Sequence, residues 1–272
     1  MVNINILELT KQIKEEGYDG EYVEAKLCQD IILLLISKSV HMTNVTIKGG
    51  VVMRSLSNNI RRATLDIDID FIKYPLTDDG IIEFIKSLNG IMGIKIDVVG
   101  KFEELNHQDY RGKRVYVTLK DEFKNKLNSK IDIGVHKYFS LPQEEYYYDI
   151  SFDSKGATLF INSKEQILTE KLKSILKFGS LSTRYKDVYD IYYLSSIVDK
   201  EKLLKAFQVL IYNDKKMKEN DVNSIIKRIE NTFNNSSYLN KLETSEKNWL
   251  GISNEKVLVG IISFLKELNH TN

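Results

Sequence analysis

Between residues 65 and 72 the chain alternates apolar and acidic side chains, with Asp66, Asp68 and Asp70 each separated by one apolar residue. A period of two puts all three aspartates on one face of a β-strand and Ile67, Ile69 and Phe71 on the other. Like charges this close repel, and a fold tolerates them chiefly when a cation or basic residues stand opposite. Asp66 and Asp68 are spaced to hold one or two hard divalent cations by oxygen, magnesium or manganese in its place, as in phosphoryl and nucleotidyl transfer sites. Asp70 reads as a bystander. The same pattern taken alone also describes an exposed edge strand whose acids are merely solvated.

Two further features give the acids a context. Upstream, Lys48-Gly49-Gly50 ends a short β-rich run and precedes an apolar helical run. Glycines there let the backbone approach a phosphate, and the N-H groups and dipole of the following helix favour an anion. Downstream, Asp132 stands between Ile131 and Ile133 and points to the face opposite them. If that strand pairs beside the first, Asp66, Asp68 and Asp132 converge. In a two-metal mechanism the third carboxylate orients and deprotonates the attacking hydroxyl, and that is the role expected of Asp132. An ordinary strand-to-helix turn and a solvent-facing aspartate are the competing readings.

The elements that must position these groups are legible as periodicities. Val23, Leu27, Ile31, Leu34 and Leu35 predict an amphipathic helix over 22–39. A strand is expected at 45–47, a helix at 51–56, the acidic strand at 65–72 and a helix at 79–88. Further strands are expected at 94–99, 114–119 and 130–135. After residue 163 the pattern turns helical, at 165–177, 186–197, 202–212, 222–233 and 255–268. The sequence thus predicts an α/β (α+β) nucleotide-binding half, 1–162, and a C-terminal helical domain, 163–272, packed against each other.

Composition narrows the class. The 42% apolar and 28% charged residues suit a globular protein, and the longest apolar stretch, 31–36, is far too short to cross a bilayer. No secretion signal is evident, so the protein is expected in the cytoplasm with no membrane partner. The single cysteine, Cys28, excludes an internal disulfide or a cysteine-based zinc cluster and falls in an apolar pattern expected to be core. A net charge of +1 gives no global attraction to nucleic acid, so any basic site must be local. Arg54, Arg61 and Arg62 near the glycine turn, with Lys171, Lys173, Lys177, Arg184 and Lys186 in the helical half, suggest a basic cleft in which RNA could lie; scattered solvated cations would look the same.

Ile47-Lys48-Gly49-Gly50, followed by Arg62-Ala63-Thr64-Leu65-Asp66-Ile67-Asp68, resembles the AbiEii/AbiGii toxin family of nucleotidyltransferases. The motif Glu170-Lys171-Leu172 and the segment Lys186-Asp187-Val188-Tyr189-Asp190 resemble that family's helical lysine motif and its later acidic segment. The resemblance runs, with gaps, over 22–194 and implies a polymerase-β-like mixed sheet followed by a helical domain. It further implies a nucleoside triphosphate donor, magnesium, an acceptor at the 3′ end of tRNA or other RNA, and a cognate antitoxin in a bacterial toxin-antitoxin or abortive-infection pair. By the same resemblance Lys48, Gly49, Gly50 and Arg62 belong to the nucleotide site, Lys171 lies on the triphosphate, and Asp187 sits beside that lysine. Val51 stands where the family usually has a small hydroxyl residue, and Lys186 where it usually has arginine. The reaction expected is transfer of a nucleoside monophosphate to an acceptor hydroxyl with release of pyrophosphate. A protein hydroxyl as acceptor, and a catalytically idle binding module, are the alternatives.

Overall fold

The structure, a computed structural model, describes residues 4–107 and 110–270, with side chains for 4–105 and 112–270. It divides into two compact units, Met1–Asn162 and Ser163–Asn272. Mixed α/β structure with one seven-stranded mixed sheet characterises the chain, in keeping with a nucleotidyltransferase-type fold.

The first unit begins with α1 (Ile6–Glu15), whose Asn5 cap accepts hydrogen bonds from the N-H groups of Leu7 and Glu8. There follow α2 (Glu21–Lys38), β1 (Val45–Lys48), α3 (Gly49–Ser57), β2 (Ile67–Phe71) and α4 (Asp78–Ser87). The strands β3 (Lys95–His107), β4 (Tyr110–Lys120), β5 (Lys126–Val135), β6 (Gln143–Ile150) and β7 (Asp153–Asn162) complete it. The sheet order is β3-β4-β5-β2-β1-β7-β6. β2 runs parallel to β5 and antiparallel to β1, and β1 runs parallel to β7.

Register turns the sequence pattern into two faces. Ile161, Ile47, Ile69 and Ile133 form one row across four adjacent strands, all buried. The next row, on the opposite face by the alternation of strand side chains, contains Lys48, Asp68, Asp132 and Arg114. Residues 27–36 of α2 are buried throughout, Cys28 among them. Burying a Leu or Ile fully is worth about 1.5–3 kcal/mol each, so the apolar row and α2 fix the register that aligns the polar row.

Several elements of this unit differ from expectation. The acidic strand starts at Ile67, so Asp66 precedes it in irregular backbone instead of sharing the strand face. Helix α1 and the β6–β7 hairpin were not expected. Glu144, Glu145 and three consecutive tyrosines, Tyr146, Tyr147 and Tyr148, weaken the apolar alternation of β6, and its place at the sheet edge explains why polar residues are tolerated there.

The second unit is helical: α5 (Lys164–Phe178), α6 (Tyr185–Ser195), α7 (Lys200–Phe207), α8 (Val222–Phe233), α9 (Ser236–Thr244) and α10 (Asn254–His270). The expected 202–212 helix is α7 continued by a π-helical turn, Gln208–Tyr212. Ser163 caps α5 by accepting from the Gln166 N-H, and Asp221 and Ser224 form a reciprocal capping box on α8. The short, polar α9 was not expected. Among the described residues no helix is long and apolar enough to cross a membrane.

Candidate active site

The turn from β1 into α3 carries Gly49 and Gly50, and each is required sterically. Gly49 adopts φ +68°, and a Cβ there would overlap Asp68 Oδ2; a Cβ on Gly50 would overlap the Thr64 hydroxyl. The glycine pair thus makes room for the acidic strand beside it. Lys48 is the N-cap of α3 and supplies no side-chain capping bond, while the first N-H groups of any helix lack intrahelical partners. Val51 is completely buried, so its lack of a hydroxyl takes nothing from the polar face.

On that face Lys48, Asp68, Asp132 and Arg114 are successive register partners on β1, β2, β5 and β4. Arg114 clasps Asp132 with two hydrogen bonds, Nε to Oδ1 at 2.7 Å and Nη2 to Oδ2 at 2.8 Å. Those bonds raise the already high value of the guanidinium further. One turn of the pleat away, Lys130 Nζ stands 2.8 Å from Asp66 Oδ1, an enclosed oxygen with no hydrogen bond of good geometry. Lys48 Nζ donates to Asp70 Oδ1 at 2.5 Å. Asp70 is therefore no bystander: it is the carboxylate that holds the lysine of the glycine turn. Beyond the end of β5, buried His136 lies beside the Gln143 amide and close enough to feel the Asp70 charge; burial nonetheless lowers its value below the usual imidazole range.

The donor set suits a hard cation in its chemistry. It offers only carboxylate oxygens, with Asp68 and Asp132 side by side on neighbouring strands and Asp66 close in sequence to Asp68. As the side chains stand, no three His, Cys, Asp or Glu groups among the described residues form a ready-made metal cage. Asp132 and Asp66 face Arg114 and Lys130 instead.

In the second unit α5 and α6 bring Lys171 and Asp187 together, Nζ to Oδ1 at 2.7 Å, and add Asp190 at 2.8 Å. Lys171, Asp187 and Asp190 are 7%, 4% and 0% exposed, so this is a buried triad and not a surface ion pair. Trp249 Nε1 donates to Asp190 Oδ1 at 3.0 Å, and Arg184 Nε lies 2.6 Å from Asp187 Oδ2.

Sequence reasoning gave no site role to Arg114 or Lys130, and quoted Asp190 only as part of a motif. Asp190 had a signal, since it lies three residues after Asp187 and hence on the same helical face. The expected basic patch loses several members. Arg54 is buried, donating to the Tyr18 hydroxyl and facing Asp30; Lys173 is buried against Asp214; Arg62 is buried in a short 3-10 turn, Ile60–Arg62.

A search of curated proteins finds no match. A family model described as nucleotidyl transferase AbiEii toxin, type IV TA system, matches residues 31–250. The matched stretch takes in the glycine turn, the facing aspartates of β2 and β5, and the buried lysine triad. By that match over most of its length, the chain belongs to the AbiEii family of nucleotidyltransferase toxins.

Proposed function

We propose that the chain transfers a nucleoside monophosphate from a nucleoside triphosphate to an RNA hydroxyl, with tRNA 3′ ends the first acceptor to test, and that Asp66, Asp68 and Asp132 hold the magnesium the reaction uses. The observation that carries this reading is the pairing of Asp68 with Asp132 beside the glycine turn. Two carboxylates opposed on adjacent strands repel each other, a repulsion that a shared divalent cation relieves, and the N-terminus of α3 offers its N-H groups to phosphate oxygens. A bound magnesium supplies charge neutralisation on the triphosphate and on the attacking oxygen.

The chain's own residues divide the remaining work. The α3 N-terminus and Lys48, oriented by Asp70, receive the triphosphate. Asp132 accepts the proton of the acceptor hydroxyl as its oxygen bonds to the α-phosphorus; the bond from that phosphorus to the bridging oxygen breaks, and pyrophosphate leaves. Within the helical unit, Asp187 and Asp190 fix the Lys171 ammonium. A cognate antitoxin is the partner that the family implies, and a cytoplasmic setting supplies both nucleotide and acceptor.

The test is incubation with magnesium, each α-labelled nucleoside triphosphate in turn, and total bacterial RNA and protein. Label entering RNA supports the proposal. Label entering protein moves the acceptor to a side-chain hydroxyl, and no transfer with any triphosphate leaves a nucleotide-binding module of the same fold.

A further inference from the structure

Both oxygens of Asp132 are taken by one planar fork. Arg114 Nε and Nη2 reach Oδ1 and Oδ2 at 2.7 and 2.8 Å, a bidentate geometry stronger and more directional than a single charged contact. The sheet itself sets the contact, because Arg114 and Asp132 are register partners on β4 and β5 while Asp132 and Asp68 are register partners on β5 and β2. The side chains of Arg114 and Asp132 are only 25% and 13% exposed, which shields the pair from water and salt. The neighbouring Lys130 contact to Asp66 is single-pronged and more exposed, so it opposes a cation less.

We propose that Arg114 is a cation gate on the carboxylate centre: it occupies Asp132 as an internal counter-ion and must let go before a divalent metal is held by Asp68 and Asp132 together. The gate rests on the metal-dependent reading given above. A guanidinium keeps its charge at any physiological pH, so the gate opens by exchange of partners and not by titration. A triphosphate brings what the exchange requires, since its oxygens offer the fork a second bidentate partner while its metal offers Asp132 a new cation. Metal and donor then load together, and metal alone loads poorly. Arg114 is a positioning residue in this scheme, acting on Asp132.

Manganese binding to the full-length protein, followed by the paramagnetic resonance of the free ion, tests the gate without any turnover. Wild type, Arg114→Gln, Arg114→Lys, Asp132→Asn and the Arg114→Gln/Asp132→Asn double variant are compared, each checked for an unchanged circular dichroism spectrum. Without nucleotide, Arg114→Gln binds manganese about tenfold more tightly than wild type, the scale of losing hydrogen bonds to a charged group. Arg114→Lys falls between them, and it carries the test if Arg114→Gln does not fold. A non-hydrolysable triphosphate tightens manganese binding more in wild type than in Arg114→Gln. The gain from Arg114→Gln disappears in the Asp132→Asn background; a gain that persists there marks a general charge effect and overturns the gate. Affinity in both Arg114 variants equal to or below wild type also overturns it while leaving the metal centre standing. No manganese binding by any of the proteins, with or without triphosphate, overturns the metal reading itself and the gate with it.

Discussion

Asp68 and Asp132 are register partners on adjacent parallel strands, two carboxylates set opposite each other between Lys48 on one side and Arg114 on the other. Like charges in this relation oppose folding, by up to about 1 kcal/mol. Asp68→Asn therefore leaves the melting temperature unchanged or raises it, while nucleotidyl transfer falls by about a thousandfold, the scale of removing a group that organises transition-state charge. Thermal unfolding and a labelled-transfer assay on the same preparation check both halves. A coupled loss of stability and activity would instead mark Asp68 as structural.

Gly49 and Gly90 both adopt positive φ, +68° and +78°, yet a Cβ meets Asp68 at the first and open space at the second. Gly90→Ala costs about 1–2 kcal/mol from backbone strain alone. Gly49→Ala costs more than that in urea unfolding, and it also depresses transfer because the added methyl displaces Asp68. Equal costs at the two positions would remove the steric reason for the glycine turn.

Lys171 neutralises two buried carboxylates, Asp187 and Asp190. Lys171→Met leaves them without that ammonium and destabilises by about 3–5 kcal/mol, as removal of one partner from a buried pair does; a surface pair would lose under about 1 kcal/mol. Chemical denaturation separates the two magnitudes.

His136 is buried and its value is lowered mainly by that burial. Above the unfolded value of about 6.5 the ring is neutral in both states and its contribution to stability is complete. As pH falls below that point the unfolded chain takes up the proton first, so stability drops until the pH passes the lower folded value. Urea unfolding at pH 7.5, 6.5 and 5.5 shows this loss in wild type, and His136→Asn flattens it. An unchanged slope in the variant assigns the acid sensitivity to other groups.

The acidic strand and the glycine turn were legible because their side chains alternate or break pattern locally, within a few residues of one another. Asp132 was legible as an isolated acid between two isoleucines, although its position opposite Asp68 depended on a strand pairing that local pattern does not state. Arg114 could not be read at all. Its partner is fixed by the β4–β5 register, which the turn between those strands sets, and nothing in residues 121–125 announces which residues will face each other. Asp70 was misread for the same reason, since only the β1–β2 pairing brings Lys48 to it. The β6 strand and α9 escaped notice because polar, tyrosine-rich or short segments lack the apolar period that reveals an element from sequence.

The most direct test of the central claim is transfer of label from an α-labelled nucleoside triphosphate to RNA by wild type, Asp68→Asn and Asp132→Asn, with and without magnesium. The account predicts transfer by wild type that needs magnesium and is lost in each folded variant. Transfer that survives in either variant, or proceeds fully in chelator, would contradict it.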